Sequence, residues 1–261
     1  IGHQAGESVD GGIYNSFMGF QIGKSNVTGS NNVYLGYQSG YSNTSGSNNV
    51  AIGNETGRNN TTGSYNTFLG FKAGYSSNSD YNTFLGYETG VFTTASYNSF
   101  ISYRAGIFNT TGSSNVFIGY NSGYNNIAGA NNVFLGYYSG YTNNANNNVF
   151  LGTESGRFNT SGANNAFMGY FAGRGNTTGE SNVMIGNQSG YTNSTGANNV
   201  FLGYLAGYTN NASNNVFLGT ESGRYNSTGS SNAFMGHNAG RANTSGRSEE
   251  RRVGKECRSR W

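Results

Sequence analysis

Four glutamates, Glu55, Glu88, Glu154 and Glu221, recur at one position of a repeating sequence that carries few other ionisable groups. Two carboxyls held side by side could serve general acid–base chemistry or glycoside cleavage. These four are separated from one another by two or more repeats, so the repeat itself makes no such pair. Calcium-binding β-rolls need an aspartate in every unit, whereas Asp10 and Asp80 are the only two aspartates here. His3 and His237 lack ligand-like companions and read as substitutes for tyrosine in the same turn. The expectation is a protein that is not an enzyme and holds no metal or cofactor.

One more pattern could carry chemistry. Asn-X-Ser/Thr tripeptides begin at Asn26, Asn43, Asn60, Asn109, Asn159, Asn176, Asn193, Asn226 and Asn243. They would accept N-glycans in a eukaryotic secretory pathway. Asn, Thr, Ser and Gly are also the preferred turn residues, and a by-product of turn chemistry is the simpler reading.

These residues are all placed by a repeat of 17 residues, shortened to 16 in four places, that runs from Ile1 to about Gly246. Its anchor glycines fall at Gly2, Gly19, Gly36, Gly53, Gly70, Gly86, Gly119, Gly136, Gly152, Gly169, Gly186, Gly203, Gly219 and Gly236, with Ser102 at the one missing anchor. A longer duplication overlies it: residues 147–157 return at 214–224, an offset of 67 residues or four units. A unit this short cannot bury a core alone, so it must stack on its copies. The shortened units lose a residue in the Asn/Thr/Gly stretch, which is therefore a turn.

Composition narrows the function. Glycine accounts for 43 of 261 residues and proline for none, which excludes collagen and proline-rich linkers. Residues 247–261 break the repeat and hold six basic and three acidic side chains and the only cysteine, Cys257. That string resembles vector- or adapter-derived read-through and is expected to be a disordered tail outside the fold. Without it the array, residues 1–246, has eight basic and eight acidic residues, and a neutral array has no electrostatic footprint for nucleic acid. An array without cysteine suits passage through an oxidising compartment. Any targeting or membrane-anchoring segment would lie beyond the two ends.

Each unit carries one strong strand signal, such as Asn132-Val133-Phe134-Leu135-Gly136, five residues bracketed by helix-disfavouring glycine. A weaker extended piece is expected at Tyr141-Thr142-Asn143, which makes a coil of two short strands and two turns. The predicted fold is all-β, a parallel β-solenoid or β-roll of about fifteen coils, about 70 Å long at the usual spacing between strands. Parallel stacking turns Asn32, Asn49, Asn66, Asn82, Asn98, Asn115 and Asn132 into a ladder that can bond amide to amide.

Strand alternation puts Val133 and Leu135 on one face and Phe134 on the other, and both faces are apolar. If the first face fills the coil, Phe68, Phe84, Phe117, Phe134, Phe150, Phe167, Phe201, Phe217 and Phe234 form an outward row that needs a cover. A threefold bundle of identical chains would cover it; the alternative is a wider single-chain solenoid with an extra turn over the row. Tyr37, Tyr87, Tyr103, Tyr120, Tyr137, Tyr170 and Tyr204 follow the anchor glycine and are the candidate adhesive surface, because tyrosine offers apolar area and a hydroxyl together. A second row holds Tyr41, Tyr75, Tyr124, Tyr141, Tyr191 and Tyr208, broken by Arg58, Arg157, Arg174, Arg224 and Arg241, and Arg stacked on Tyr between coils is its structural reading beside the adhesive one.

The signature Asn48-Asn49-Val50-Ala51-Ile52-Gly53 resembles the YadA-like head repeats of trimeric autotransporter adhesins. The fuller Asn-Thr-Phe-Leu-Gly-Tyr form is similar to repeats of long bacterial surface proteins and phage tail-fibre-like proteins. The resemblance implies a left-handed parallel β-roll, a homotrimer, display at the bacterial cell surface or outer membrane, and attachment to a host or matrix protein, a glycan or another cell. A phage tail-fibre-like shaft and an ice-binding solenoid are the alternative functions. The second would need flat rows of threonine, and the threonines here sit in turns that shift in the shortened units.

Overall fold

The structure is a computed structural model that describes residues 1–246, and the expected tail at residues 247–261 lies outside the described residues. No described residue is helical. The chain divides into two compact units, Ile1–Tyr138 and a second that begins at Ser139. The first contains β1 (Ser16–Phe20), β2 (Val33–Tyr37), β3 (Val50–Ile52), β4 (Thr67–Leu69), β5 (Thr83–Leu85), β6 (Ser99–Ile101), β7 (Val116–Ile118) and β8 (Val133–Leu135). The second contains β9 (Val149–Leu151), β10 (Ala166–Met168), β11 (Val183–Ile185), β12 (Val200–Leu202), β13 (Val216–Leu218) and β14 (Ala233–Met235).

Within each unit consecutive strands pair in parallel and in chain order. Equivalent positions face each other, as in Phe84↔Phe100 and Phe201↔Phe217. Each unit is thus a parallel β-solenoid, as the repeat length requires. The strands are short because their ends are set by backbone conformation. Asn131, just before the strand pattern resumes, has φ 58°, a region asparagine tolerates, and Gly119, just after β7, has φ 132°, which favours glycine.

There is one strand per coil, not two. The expected second strand at Tyr141-Thr142-Asn143 is a turn. Its backbone still bonds to the following coil, Thr142 N–H donating to the Arg157 carbonyl at 3.1 Å. Intercoil hydrogen bonds satisfy this part of the backbone without the extended geometry of a sheet. The shortened units keep their strands in register, Thr67↔Thr83 among them, so the missing residue is lost from a turn.

The phenylalanines are inside. Phe68, Phe84, Phe117, Phe134, Phe150, Phe167, Phe201 and Phe217 are at most 1% exposed, joined by Phe100, and Phe234 is half-buried at the last strand. This corrects the expectation that the row faces outward as an oligomer interface: a side chain enclosed by its own coil has no surface left for another chain. The extra covering turn is likewise absent from the described coils. The rings stack from coil to coil, 4.7 Å between centroids for Phe100 and Phe117 and 4.9 Å for Phe201 and Phe217. Burying one such side chain stabilises by roughly 1.5–3 kcal/mol.

Glycine makes room for the ring. Gly123 has φ 59°, and a Cβ there would lie 2.5 Å from the Phe117 ring. The rest of the interior mixes small apolar side chains such as Ala73, Ala105, Ala172 and Ala206 with polar ones, most of them bonded into the stack. Ser122 Oγ donates to the Phe134 carbonyl at 3.1 Å, and two rows of asparagine are buried with it.

Candidate functional site

The ladder of Asn32, Asn49, Asn66, Asn82, Asn98, Asn115 and Asn132 is buried, but its bonds are not amide to amide. Asn49 donates its backbone N–H to Asn32 Oδ1 at 2.9 Å, and its Nδ2 reaches the Gly63 carbonyl at 2.8 Å. Each side chain therefore stitches to backbone groups, which corrects the expected geometry.

The amide-to-amide ladder is formed by the other asparagine of the repeat. Asn43 Nδ2 donates to Asn26 Oδ1 at 2.6 Å, and Asn176 Nδ2 to Asn159 Oδ1 at 2.7 Å. These are the first residues of the Asn-X-Ser/Thr tripeptides, and they are enclosed: Asn26, Asn43, Asn109, Asn159, Asn176, Asn193 and Asn226 are 0% exposed. A sequence signal was present, because the position stays Asn at Asn126, Asn143 and Asn210, where the Ser/Thr two residues later is lost. The asparagine is kept more widely than the tripeptide, with Ser77 and Thr93 buried in its place in two coils.

The four glutamates are paired with Lys or Arg side chains. Glu154 lies 2.9 Å from Arg157 and 2.6 Å from Arg174 in the next coil, and Glu221 pairs in the same way with Arg224 and Arg241. Burial alone would raise the Glu154 carboxyl, but hydrogen bonds from Arg174 and Arg157 outweigh it and hold the group below the ordinary carboxylate value. Glu88 pairs with Arg104 at 2.7 Å and Glu55 with Lys72 at 3.5 Å. The guanidiniums also lie over aromatic rings, Arg58 at 4.9 Å from the Tyr41 centroid and Arg174 at 4.8 Å from that of Phe158. The expected Arg–Tyr row is in place. Among the described residues no three His, Cys, Asp or Glu side chains come together.

With the phenylalanines inside, the outward strand face belongs to the residues on either side of them. Val33, Leu35, Leu69, Leu135 and Ile185 are exposed, as are Met18 and Met235 at the two end strands, and most of their equivalents in other coils are half-buried. The tyrosine row borders this face: Tyr37, Tyr87, Tyr120, Tyr137, Tyr170 and Tyr204 are exposed and Tyr103 is half-buried. In the first unit Phe71, Tyr87, Tyr103, Tyr120 and Tyr137 stack without a break, their successive centroids 4.9–5.3 Å apart. In the second unit Tyr170 and Tyr204 are separated by a coil that carries Asn187, and no such stack joins them. A third row, Tyr65, Tyr81 and Tyr97, was not singled out by sequence; it stands just before β4, β5 and β6 and is also stacked and exposed.

All eight Lys and Arg side chains of the array are paired with glutamate. The outward face of each unit is therefore aliphatic and phenolic, with its neighbouring charges neutralised. No protein-family model, curated protein or solved structure matches this chain.

Proposed function

We propose that the chain is part of an extracellular structural and adhesive repeat protein of a bacterial surface, which attaches to a host or matrix protein, a glycan or another cell through many weak contacts. The observation that carries this reading is the exposed tyrosine row beside the aliphatic strand face, presented again by each coil that holds it. Uncharged phenols and alkyl groups at a fixed spacing give little affinity singly and much when engaged together. Association into a homotrimer is part of the same proposal, with the outward Val and Leu rows in the place of the phenylalanines.

The threonine rows support ice binding poorly. Thr44, Thr110, Thr160 and Thr177 spend their hydroxyl hydrogens on carbonyls of the following coil, each at 3.0 Å. A tail-fibre-like shaft would use the same stacked coils as a spacer and would show no attachment of its own.

The test compares arrays with increasing numbers of coils for retention on glycan- or matrix-coated surfaces. Retention is expected to rise steeply with coil number, and changing Tyr120, Tyr137, Tyr170 and Tyr204 to Ser is expected to reduce it while circular dichroism is preserved. Equal retention by the substituted protein would remove the adhesive reading. Light scattering is expected to report three chains, and Ile118→Lys with Leu135→Lys is expected to return the monomer without unfolding it. A protein that is monomeric before substitution would remove the trimer.

A further inference from the structure

Two rows of phenols in the first unit are stacked at van der Waals range on the outside of the fold. Tyr65 and Tyr81 have centroids 4.9 Å apart with planes 5° from parallel, and Tyr81 and Tyr97 are 5.1 Å apart at 3°. These rings are 53%, 48% and 63% exposed, so they can be reached by an external reagent and are free to turn on one side. The second row repeats the geometry, Tyr87 to Tyr103 at 5.1 Å and Tyr103 to Tyr120 at 4.9 Å. In-register pairing fixes these neighbours, which gives two phenols on successive coils an effective concentration that separate molecules cannot match.

We propose that these rows are sites of oxidative dityrosine cross-linking, which staples successive coils together covalently. The co-reactant is hydrogen peroxide with a haem peroxidase as one-electron oxidant. Each of two tyrosines gives up one electron and its phenolic proton; the two phenoxyl radicals then join through a Cε–Cε bond. The ring hydrogen at each joined carbon moves to oxygen and restores the phenol, and one peroxide is reduced to two waters. The protein loses two hydrogens per link.

The chain supplies its own controls. Tyr14 is 79% exposed, but the equivalent residue of the next coil is Asn31, and exposed Tyr170 and Tyr204 are divided by Asn187. Access alone would oxidise these as readily, whereas stacking selects the two rows, together with the half-buried pair Tyr191 and Tyr208 of the second unit, 5.1 Å apart.

The experiment treats the full chain at low concentration with a haem peroxidase and hydrogen peroxide, follows dityrosine fluorescence, and maps the links by mass spectrometry. Links are expected within one chain at Tyr65–Tyr81, Tyr81–Tyr97, Tyr87–Tyr103, Tyr103–Tyr120 and Tyr120–Tyr137. Tyr81→Phe keeps the ring and removes the phenol, so it is expected to abolish the first two and leave the others at parent yield. The proposal is overturned if no dityrosine forms while free tyrosine couples in a parallel reaction. It is equally overturned if the links run mainly between molecules, or form at Tyr14, Tyr170 and Tyr204 as often as in the rows.

Discussion

Asn211 Oδ1 accepts the backbone N–H of Ser194 at 2.9 Å and that of Thr195 at 2.8 Å, across the junction between two coils. In a coil of full length the same donors are met by a main-chain carbonyl, as where Thr177 and Thr178 both donate to the Ser194 carbonyl at 2.9 and 3.0 Å. Asn211 lies in a shortened coil, and its side chain takes over an acceptor role that backbone fills elsewhere. Asn78 does the same for Thr61 and Thr62. Asn211→Ala leaves two N–H groups to solvent and is expected to cost about 1 kcal/mol, read as a lowered denaturation midpoint. Ser194→Ala, which removes a hydroxyl but no backbone donor, is expected to cost less.

Ser102 occupies the anchor position at φ 110°, where its equivalents are glycine. A non-glycine residue held there costs about 1–3 kcal/mol, and glycine gives back about 0.5–1 kcal/mol as unfolded-chain entropy. Ser102→Gly is therefore expected to stabilise the first unit by about 1 kcal/mol. Gly119→Ser, the reverse change one coil on, is expected to destabilise it, and the same denaturation experiment reads both.

The interior position of the phenylalanines makes them determinants of stability. Phe117→Ala is expected to cost about 3–5 kcal/mol. Gly123→Ala adds a methyl 2.5 Å from that ring at φ 59° and is expected to cost about 2–4 kcal/mol, from overpacking together with left-handed strain. Calorimetry on the two single variants and the double tests the link: with the Phe117 ring removed, alanine at Gly123 should be accepted at reduced cost.

Acid should loosen the arginine-clamped coils first. The Glu154 carboxyl is lower in the folded state than in the unfolded chain, where it titrates near about 4.3. Its contribution is complete above the unfolded value and disappears as pH falls through the lowered folded one. Glu154→Gln is expected to remove that part of the acid dependence and to leave the melting profile flatter below the ordinary carboxylate range. An unchanged acid limb in this variant would count against the clamp.

Enclosure of the ladder asparagines predicts that Asn26, Asn43, Asn109, Asn159, Asn176, Asn193 and Asn226 resist N-glycosylation in the folded protein, a protection that the exposed acceptors Asn54, Asn187 and Asn211 do not share. An oligosaccharyltransferase with a lipid-linked donor should modify these ladder positions in the urea-unfolded chain and leave them unmodified in the native one, as mapped by mass spectrometry. Modification of native Asn176 or Asn193 would contradict their burial, since each Nδ2 is committed to the ladder and to a glycine carbonyl.

Parallel stacking followed from the repeat alone: units of 16 or 17 residues cannot bury a core singly, and only in-register stacking lets every coil use the same asparagine and glycine. The turns were legible for a related reason, since a position that tolerates deletion cannot be part of the strand ladder. The direction of the strand was not legible. In Val-Phe-Leu all three residues are apolar, so alternation separates two faces without saying which is inside. The choice is made by closure of the coil, which brings Gly123 against the Phe117 ring and leaves Val116 and Ile118 on the outer face. The second asparagine ladder was obscured because Asn-X-Thr has a local meaning as a turn and another as a modification signal. Only the stacked structure shows the Asn26 and Asn43 side chains bonded to each other inside the fold. The tyrosine row was visible as a spacing, but its continuous stack from Phe71 to Tyr137, and the contact of Tyr170 with Phe171 instead of a ring of the next coil, depend on packing that exists only after the chain has folded.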